Sequence, residues 1–492
     1  MAVRVRGVLV RAGADRRGRG WRRAGVTGAV SVRWGTFRVM KLTILGGGGF
    51  RVPLVYRALS GGDVSELTLY DTDPARLGVV RSVLEQLGGR ACGARGAAPL
   101  PPVRVADGLD DALRGADFVF SAIRVGGTAG RVRDELVPLA EGVLGQETVG
   151  AGGVLYGLRT VPVALGIAER VAAVAPRAWV INFTNPAGMV TEAMSEVLGE
   201  RVIGICDSPV GLVRRAARAA GRDPDLFFGG GPRAAGSAAP SYDYVGLNHL
   251  GWLRTLHDGT EDLLPGLLGD ADALAGFEEG RLFGADWLGA LGSLPNEYLH
   301  YYYFRRESLA AVREADETRG AFLDHQQGAF FARAAKEPAR AYDLWEATRL
   351  QREETYMADS RAASGGWQRD TCDLDGGGYD QVALALMRAI AEDRRTRLIL
   401  NVRNGTTVPA LPADAVIETV CEVGASGARP LPAAPLGPAE LGLVLQLKAV
   451  ERATIEAALF KDRTAALRAL ALHPLVDSPA VAARILERAA AI

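Results

Sequence analysis

Short apolar runs alternate with longer segments of helical spacing through the first half of the chain. The runs that favour strands lie at residues 42–45, 66–71, 116–123 and 178–185. Apolar residues with helical spacing follow at 52–59 and 160–175. Because strands buried on both faces of a parallel sheet are almost continuously apolar, this alternation predicts an α/β fold with a doubly wound parallel sheet.

The first predicted strand runs into a glycine turn, and the second ends at an acidic residue. The turn consists of Gly46, Gly47, Gly48 and Gly49. Asp71 follows 25 residues after Gly46, and Arg51 stands where the usual dinucleotide pattern has its third glycine. Glycines let the backbone approach a pyrophosphate, and an acid about 20 residues further on binds a ribose hydroxyl. We interpret the turn and Asp71 as a dinucleotide site.

Polar residues also follow the later strands of this half. They are Arg124, Asn182, Asn185, Cys206 and Asp207. Ligands of open α/β sheets bind outside the carboxyl ends of the strands. We therefore expect these side chains and the glycine turn to border the same ligand site.

One cysteine and one histidine are candidates for a metal site. Cys206 closes an apolar strand, and His249 closes another predicted strand 43 residues later. Thiolate and imidazole bind divalent transition metals, and two protein ligands leave coordination positions open for substrate oxygens. Both residue types are also found in ordinary protein cores. The spacing alone leaves both interpretations open.

Three tyrosines, Tyr298, Tyr301 and Tyr302, have the spacing of one helix face. Such a stripe is typical of a core or an interface. A tyrosine acts as a base only where a nearby cation lowers the pKa of its phenol, and a metal site would provide that cation.

The remaining segments indicate a covering connection and a second, mixed half. Residues 125–153 are polar and glycine-rich, which is typical of a segment that covers a substrate. Residues 376–390 have the pattern of a helix, and 398–423 that of strands with an Asn-Gly turn at 404–405.

Composition narrows the class of protein. At 492 residues, with 48% apolar and 23% charged residues, the chain predicts two or three globular units. No apolar run reaches the ~18 residues of a membrane span, and basic residues do not interleave with aromatic ones, so we expect neither membrane insertion nor nucleic-acid binding. Four cysteines without a CxxC pair suggest a reducing cytoplasm.

The charge is zero overall but uneven. Residues 1–39 hold ten arginines and one acid, Asp15. The first predicted strand opens directly afterwards, at Met40. We interpret residues 1–39 as a disordered or spuriously annotated extension.

Several linked motifs resemble glycoside hydrolase family four, the NAD- and metal-dependent glycosidases, and 6-phospho-β-glucosidases in particular. They are GGGGF, LYDTD, RVGG, GQETVGAGG, NFTNPAGMVTEA, GICDSPVGL, GLNHLGW, NEYLHYYY and NVRNGTTVPALPADAVIE. The resemblance extends from about residue 40 to about residue 470. It implies a Rossmann-like NAD-binding domain at 40–205, akin to lactate and malate dehydrogenases. An α+β catalytic domain at 206–475 and a C-terminal helix tail at 476–492 follow.

The resemblance also implies an unusual chemistry, distinct from hydrolysis by paired carboxylates. Bound NAD⁺ would accept hydride from C3 of the sugar, a base would remove the acidified C2 proton, and the aglycone would leave by elimination. Water would then add and the hydride would return. A divalent metal, Mn²⁺ in the typical case, would polarise the oxygens on C2 and C3.

The roles implied by the resemblance fall on twelve residues. NAD contacts are Gly46, Gly47, Gly48, Gly49, Phe50 and Asp71; metal ligands are Cys206 and His249; the base is Tyr298; substrate contacts are Arg124, Asn185 and Asp207. Asp207 departs from the asparagine usual in members that act on phosphorylated sugars, and a carboxylate repels a phosphate. The alternatives are therefore a β-glycosidase acting on non-phosphorylated sugars, a lactate/malate-type dehydrogenase, and a sensor without turnover. The resemblance further implies a cytoplasmic homodimer or homotetramer.

Overall fold

The computed structural model describes residues 40–93, 99–228, 239–369 and 378–490. The extension predicted at 1–39 lies outside the described residues. The strands are β1 Met40–Leu45, β2 Val64–Tyr70, β3 Val103–Val105, β4 Phe118–Ser121, β5 Trp179–Asn182, β6 Val202–Gly204, β7 Ser241–Leu247, β8 Leu250–His257, β9 Leu294–Pro295, β10 Thr396–Arg403, β11 Val416–Gly424 and β12 Gly427–Pro430.

Helices account for most of the rest of the described chain. The α-helices are Val52–Ala58, Pro74–Gly93, Leu109–Leu113, Gly127–Ala140, Ala151–Val174, Ala187–Leu198, Ser208–Ala219, Leu264–Leu268, Ala271–Ala275, Glu278–Phe283, Ala285–Leu291, His300–Tyr303, Arg305–Glu314, Arg319–Lys336, Ala341–Glu354, Ala358–Ala363, Tyr379–Glu392, Pro438–Phe460, Arg463–Leu472 and Pro479–Ala490. Short 3₁₀ turns lie at Gly199–Arg201, Pro224–Leu226, Glu297–Leu299 and Pro338–Arg340.

The first six strands form a parallel sheet in the order β3-β2-β1-β4-β5-β6. This is the strand order of a doubly wound dinucleotide-binding sheet. Phe118, Val119 and Phe120 of β4 are almost completely buried, as expected for a strand covered on both faces. The predicted α/β fold with a Rossmann-like first half is confirmed.

The same sheet continues without a break into the second half. β6 pairs antiparallel with β10 through Gly204 and Asn401, and β11, β7, β8 and β9 follow in antiparallel order. β12 pairs with β11 beside this path. The boundary predicted after residue 205 thus falls directly behind β6, inside a twelve-stranded sheet.

Two connections differ from their predicted form. The polar connection at 125–153 contains the helix Gly127–Ala140 and the start of the helix Ala151–Val174, so that only 141–150 is a loop between them. The strands predicted at 398–423 are β10 and β11. A twelve-residue loop joins them, whereas the Asn-Gly pair predicted a tight turn. The Asn404 side chain donates to three carbonyls of this loop, which satisfies buried backbone groups that a tight turn would not have left open.

The helix Ala151–Val174 is long and apolar enough to cross a membrane by length and composition. However, 67% of its most apolar window is buried inside the protein. Val161, Ala168 and Val171 are fully buried. The core helix of a globular protein can have the same length and hydropathy, and here the apolar face packs inside the protein.

The C-terminal helix Pro479–Ala490 is docked, although the sequence predicted only a helical tail. Ala482 and Ile485 are fully buried in a core cluster with Val137 and Val450. Arg488 also forms an ion pair with Glu141 at 2.6 Å. The helix therefore supports the helix Gly127–Ala140 from outside.

Candidate active site

A cavity of about 1000 Å³ opens at the carboxyl edge of the parallel strands. Eleven of the twelve predicted site residues line it: Gly46, Gly48, Gly49, Phe50, Asp71, Arg124, Asn185, Cys206, Asp207, His249 and Tyr298. Gly47 is the exception. A Cβ there would lie 2.9 Å from the Cβ of Leu69, so this glycine permits close packing on β2. The structure thus brings together residues that are up to 252 positions apart (298 − 46).

The glycine turn has no room for side chains. Gly46 has φ +85°, and a Cβ there would lie 2.5 Å from the carbonyl oxygen of Ala122. The amide of Gly48 donates to Oδ2 of Asp71 at 2.8 Å, which holds the carboxylate beside the turn. The turn therefore offers side-chain-free backbone and a fixed acid at one end of the cavity, the features that a dinucleotide needs.

Phe50 is mainly a packing residue. Its ring lies edge-on to Phe330 with 5.4 Å between ring centroids, and only 6% of the residue is exposed. Its carbonyl oxygen accepts a hydrogen bond from Nε1 of Trp345 at 2.8 Å. These contacts anchor the end of the glycine turn on the helix Ala341–Glu354.

Cys206 and His249 meet at the edge of the sheet. Cys206 lies two residues beyond β6, and His249 lies in the two-residue turn between β7 and β8. His249 has φ +62°, a left-handed conformation that is costly for a residue other than glycine. Its Nε2 lies 3.5 Å from Sγ of Cys206, and both residues are 5% exposed. The hairpin thus aims the imidazole at the thiol.

The separation of these two atoms fits one shared metal ion. Sulfur and imidazole nitrogen both bind divalent transition metals, and at 3.5 Å the two atoms are close enough for one ion to be held by both. Nδ1 of His249 is 2.8 Å from Oγ1 of Thr148, a bond that orients the ring and leaves Nε2 facing the thiol. Within the described residues, no group of three or more His, Cys, Asp or Glu side chains could hold a metal.

The protonation of the two groups is set mainly by burial. Burial lowers the pKa of His249 to about 4, so the imidazole is neutral and can act as a ligand. Burial also raises the pKa of the Cys206 thiol well above its usual value, and the charges of Glu418 and Asp207 add to this. A bound divalent cation would reverse the second effect and favour the thiolate.

Tyr298 lies directly on the histidine. Its ring is stacked on that of His249, with 3.7 Å between centroids and 7° between planes. Its hydroxyl lies 3.1 Å from the hydroxyl of Tyr356, which also lies 3.3 Å from Oε1 of Glu297. Burial, followed by the charge of Glu297, raises the pKa of Tyr298. Proton abstraction by this phenol therefore requires positive charge nearby.

The three tyrosines pack on one core cluster, with Leu144 and Val149, but their polar groups have different partners. Tyr301 lies 6.4 Å from Tyr298 between ring centroids, and its hydroxyl donates to Asp359. Tyr302 instead stacks near His473 at 6.2 Å. A 3₁₀ turn at Glu297–Leu299 leads directly into the helix His300–Tyr303, and together they place the three rings against the same cluster.

Arg124 is held by an ion pair that the sequence did not reveal. Its Nη1 contacts Oε1 of Glu147, while Oε2 of the same carboxylate accepts from Nη1 of Arg131 at 2.6 Å. Burial opposes ionisation of Glu147, but the charges of Arg124 and Arg131 outweigh it and lower the pKa of this carboxyl to about 2. Arg131 also pairs with Glu135 at 2.7 Å.

The two remaining substrate candidates border the cavity from neighbouring strands. Asn185 follows β5 and precedes Pro186 through a cis peptide bond. Asp207 occupies the N-cap position of the helix Ser208–Ala219 without capping it through its side chain. Both side chains are partly exposed to the cavity.

Glu418 supports the histidine turn and was missed from the sequence. One of its oxygens accepts from Asn248 at 3.1 Å and from Asn401 at 3.0 Å, and the other accepts from Tyr244 at 3.1 Å. Burial raises its pKa to about 7, although these three hydrogen bonds act in the opposite direction. The signal available in the sequence was an acid at the third position of the strand β11, VIETVCEVG.

Comparison with known proteins identifies the family. The family model described as Family 4 glycosyl hydrolase matches residues 41–221, and that of the Family 4 glycosyl hydrolase C-terminal domain matches residues 244–476. The chain belongs to family 4 of the glycosyl hydrolases. The resemblance drawn from the sequence motifs is confirmed, and with it the prediction of a glycoside hydrolase.

Relatives with similar sequences include enzymes named for phosphorylated glucosides of both anomeric types. A 6-phospho-beta-glucosidase of Escherichia coli is 31% identical over 393 residues, 77% of this chain and 78% of the relative. A 6-phospho-alpha-glucosidase of Lacticaseibacillus paracasei is 28% identical over 479 residues, 92% of this chain and 96% of the relative.

Solved structures of the family contain both expected cofactors. A 6-phospho-beta glucosidase from Thermotoga maritima, solved with NAD and glucose-6-phosphate, is 25% identical to this chain. It superposes with a TM-score of 0.72, covering 92% of this chain and 97% of that one. Another structure of that enzyme holds manganese as well as NAD⁺. These ligands are features of the related proteins.

Proposed function

We propose that this chain hydrolyses 6-phospho-β-glucosides with the help of NAD and a divalent metal, Mn²⁺ first among them. The observation that carries the proposal is the stack of Tyr298 on His249, whose Nε2 lies 3.5 Å from Sγ of Cys206. A candidate base thus adjoins a candidate metal pair in the cavity that the glycine turn also borders. That arrangement suits removal of the proton on C2 of the sugar, the carbon next to the oxidised C3.

The proposed roles of the residues follow from their positions. When bound, NAD⁺ supplies a hydride acceptor for C3 of the sugar, and the metal supplies positive charge for the oxygens on C2 and C3. Cys206 and His249 would hold the metal, while Thr148 keeps the imidazole in place through Nδ1. Tyr298 would take the proton from C2. Arg124 and Asn185 would bind sugar oxygens.

The proposed NAD site is formed by the glycine turn that follows β1. The glycines of the turn would admit the pyrophosphate of NAD, and Asp71 would accept a ribose hydroxyl. The free thiols of Cys206 and Cys421 agree with a reaction in a reducing cytoplasm. A homodimer or homotetramer stays a prediction.

The β-anomer and the 6-phosphate are supported mainly by relatives. The relatives named 6-phospho-beta-glucosidase reach 32% and 31% identity, and those named for α-linked substrates reach 28%. One observation favours a second candidate, a β-glycosidase acting on non-phosphorylated sugars. The carboxylate of Asp207 lines the cavity, where it would repel a phosphate dianion.

A matrix of four substrates tests the proposal. These are 4-nitrophenyl α- and β-glucosides, each with and without a 6-phosphate, assayed with NAD⁺ and Mn²⁺ added or withheld. We expect cleavage of the phosphorylated β-glucoside only when both additions are present, and a primary isotope effect with deuterium at C2. Full activity after removal of both additions would contradict the proposed function, while a preference for the non-phosphorylated β-glucoside would favour the second candidate.

A further inference from the structure

We propose that Gln146 is a positioning residue of the candidate metal site, which sets the tautomer of His249 through the hydroxyl group of Thr148. Gln146 has no role in the scheme above, and the inference rests on the proposed function only for the metal that His249 would hold. Gln146 lies in the loop at 141–150, and its side chain lines the same cavity as His249.

The tautomer of His249 decides whether its ring can bind a metal. A neutral imidazole carries one N–H, and only the other nitrogen has a lone pair for a ligand bond. Nε2 lies 3.5 Å from Sγ of Cys206, so Nε2 has to be the bare nitrogen. The stacked ring of Tyr298, with 3.7 Å between centroids, fixes the plane of the imidazole but not the position of its proton. Another group has to select the tautomer.

The direct partner of Nδ1 cannot make this selection alone. Nδ1 lies 2.8 Å from Oγ1 of Thr148. Carboxylate and carbonyl oxygens, the usual partners of a metal-binding histidine, only accept hydrogen bonds and so require an N–H opposite them. A hydroxyl group donates as well as accepts. If it donated to Nδ1, the proton of the ring would lie on Nε2, between the ring and Cys206, and would block the metal.

Gln146 fixes the direction of this hydroxyl group by accepting three hydrogen bonds on one atom. Its Oε1 accepts from the backbone amide of Thr148 at 2.6 Å and from that of Val149 at 2.9 Å. Because amide N–H groups only donate, the atom that they face is the oxygen of the carboxamide and not its nitrogen. The hydroxyl of Thr148 lies 3.1 Å from the same oxygen, and it therefore donates its hydrogen to Gln146.

The direction of the Thr148 hydroxyl then determines where the proton of His249 lies. With its own hydrogen directed at Gln146, Oγ1 of Thr148 accepts from Nδ1 of His249. The ring carries its proton on Nδ1, and the lone pair of Nε2 faces Sγ of Cys206. The hydrogen bonds from His249 to Thr148 and from Thr148 to Gln146 thus prepare Nε2 as a ligand independently of any bound ion.

Contacts next to Gln146 hold the loop in place. Glu147 is fixed by the ion pairs with two arginines described above. The amide of Gly150 donates to Nε2 of His473 at 3.1 Å. The path of the loop therefore does not depend on Gln146 alone, and a change of its side chain acts mainly on the hydrogen bonds that the side chain accepts.

NMR of the imidazole nitrogens tests the tautomer directly, because a protonated ring nitrogen and a bare one resonate at separate positions. The full chain is labelled with ¹⁵N-histidine, and His249→Gln identifies the signals of His249 among the five histidines. We expect the metal-free wild type to carry the proton on Nδ1 at neutral pH. Gln146→Met keeps the length of the side chain and removes the acceptor, so it should give a mixture of tautomers. Gln146→Glu keeps the acceptor and should retain the wild-type tautomer.

Calorimetric titration with Mn²⁺ measures the consequence for the metal and needs no turnover. We expect Thr148→Val to weaken Mn²⁺ binding roughly 10- to 100-fold, the usual effect of removing the partner of a metal-binding histidine. Gln146→Met should weaken it about 3- to 10-fold, the effect of one neutral hydrogen bond, because the Thr148 hydroxyl can still accept from Nδ1. Thr454→Val is the matched control. Thr454 is fully buried and donates to the carbonyl oxygen of Val450 in its own helix at 2.8 Å, so its loss should leave Mn²⁺ binding unchanged.

The outcomes separate this role of Gln146 from the proposed function and from folding, which circular dichroism reports. A proton on Nδ1 that is lost in Gln146→Met and kept in Gln146→Glu supports the inference even if no glycoside is cleaved. A wild-type His249 with its proton on Nε2 overturns it, as does the wild-type tautomer retained in Gln146→Met. Equally tight Mn²⁺ binding by Thr148→Val and Thr454→Val also overturns it. Should Gln146→Met not fold, Gln146→Leu, which likewise lacks an acceptor, takes its place.

Discussion

The buried carboxylate of Glu147 allows a prediction of stability with a defined size. The fall in its pKa from 4.5 to about 2 corresponds to about 3 kcal/mol in favour of the ionised folded state, at about 1.4 kcal/mol per tenfold change in proton affinity. Glu147→Gln removes the charge and deprives both Arg124 and the buried Arg131 of this counter-ion. We expect the free energy of unfolding at pH 7 to fall by about 3 kcal/mol, in the range found when one partner of a buried ion pair is removed.

The pH dependence gives this prediction a second check. Because the folded-state pKa of Glu147 is depressed, its contribution is complete above about pH 4.5 and is lost as pH falls through about 2. The difference between wild type and Glu147→Gln, measured by urea unfolding, should therefore shrink below pH 4.5. Glu337→Gln is the control, since Glu337 also pairs with two arginines, Arg333 and Arg340, but on the surface. Equal urea midpoints for Glu147→Gln and wild type at pH 7 would refute the reasoning.

Three further changes test the cavity. Cys206→Ser should abolish stoichiometric Mn²⁺ binding, measured by calorimetry on the full chain, and retained tight binding would exclude the thiol as a ligand. Tyr298→Phe should lower kcat by about 10² or more with little change in KM and stop deuterium exchange at C2; exchange at the wild-type rate would assign the base elsewhere. Gly46→Ala should destabilise the fold in thermal unfolding by more than the about 1–2 kcal/mol of its left-handed backbone. Its Cβ meets Ala122, whereas the control Gly62→Ala has a similar φ of +78° and open space; equal effects would rule out the clash.

The first half of the fold was predictable because its strands are buried on both faces. Their apolar runs mark the parallel sheet directly, and the predicted strand at 116–123 contains β4. The junction with the second half was not predictable. It depends on the pairing of Gly204 with Asn401, which are 197 positions apart (401 − 204), and no local pattern encodes such a partner.

Residues of the candidate site were predictable where a side chain of suitable chemistry directly follows a predicted strand. Cys206 and His249 were found in this way, and the structure places them together. Glu147, Glu418 and Tyr356 were missed as site residues, since each one acquires its significance through contacts with residues distant in sequence. In a sequence, an acidic residue that becomes buried in the fold cannot be distinguished from any other acidic residue.

The continuous sheet has a consequence for how the enzyme opens. Enzymes built from two separate lobes admit ligand by hinge rotation about a flexible linker. Here hydrogen bonds between β6 and β10 cross the place where such a linker would lie, so the two walls of the cavity cannot swing apart as rigid bodies. Sugar entry and product release therefore have to occur without rotation of one half of the protein against the other.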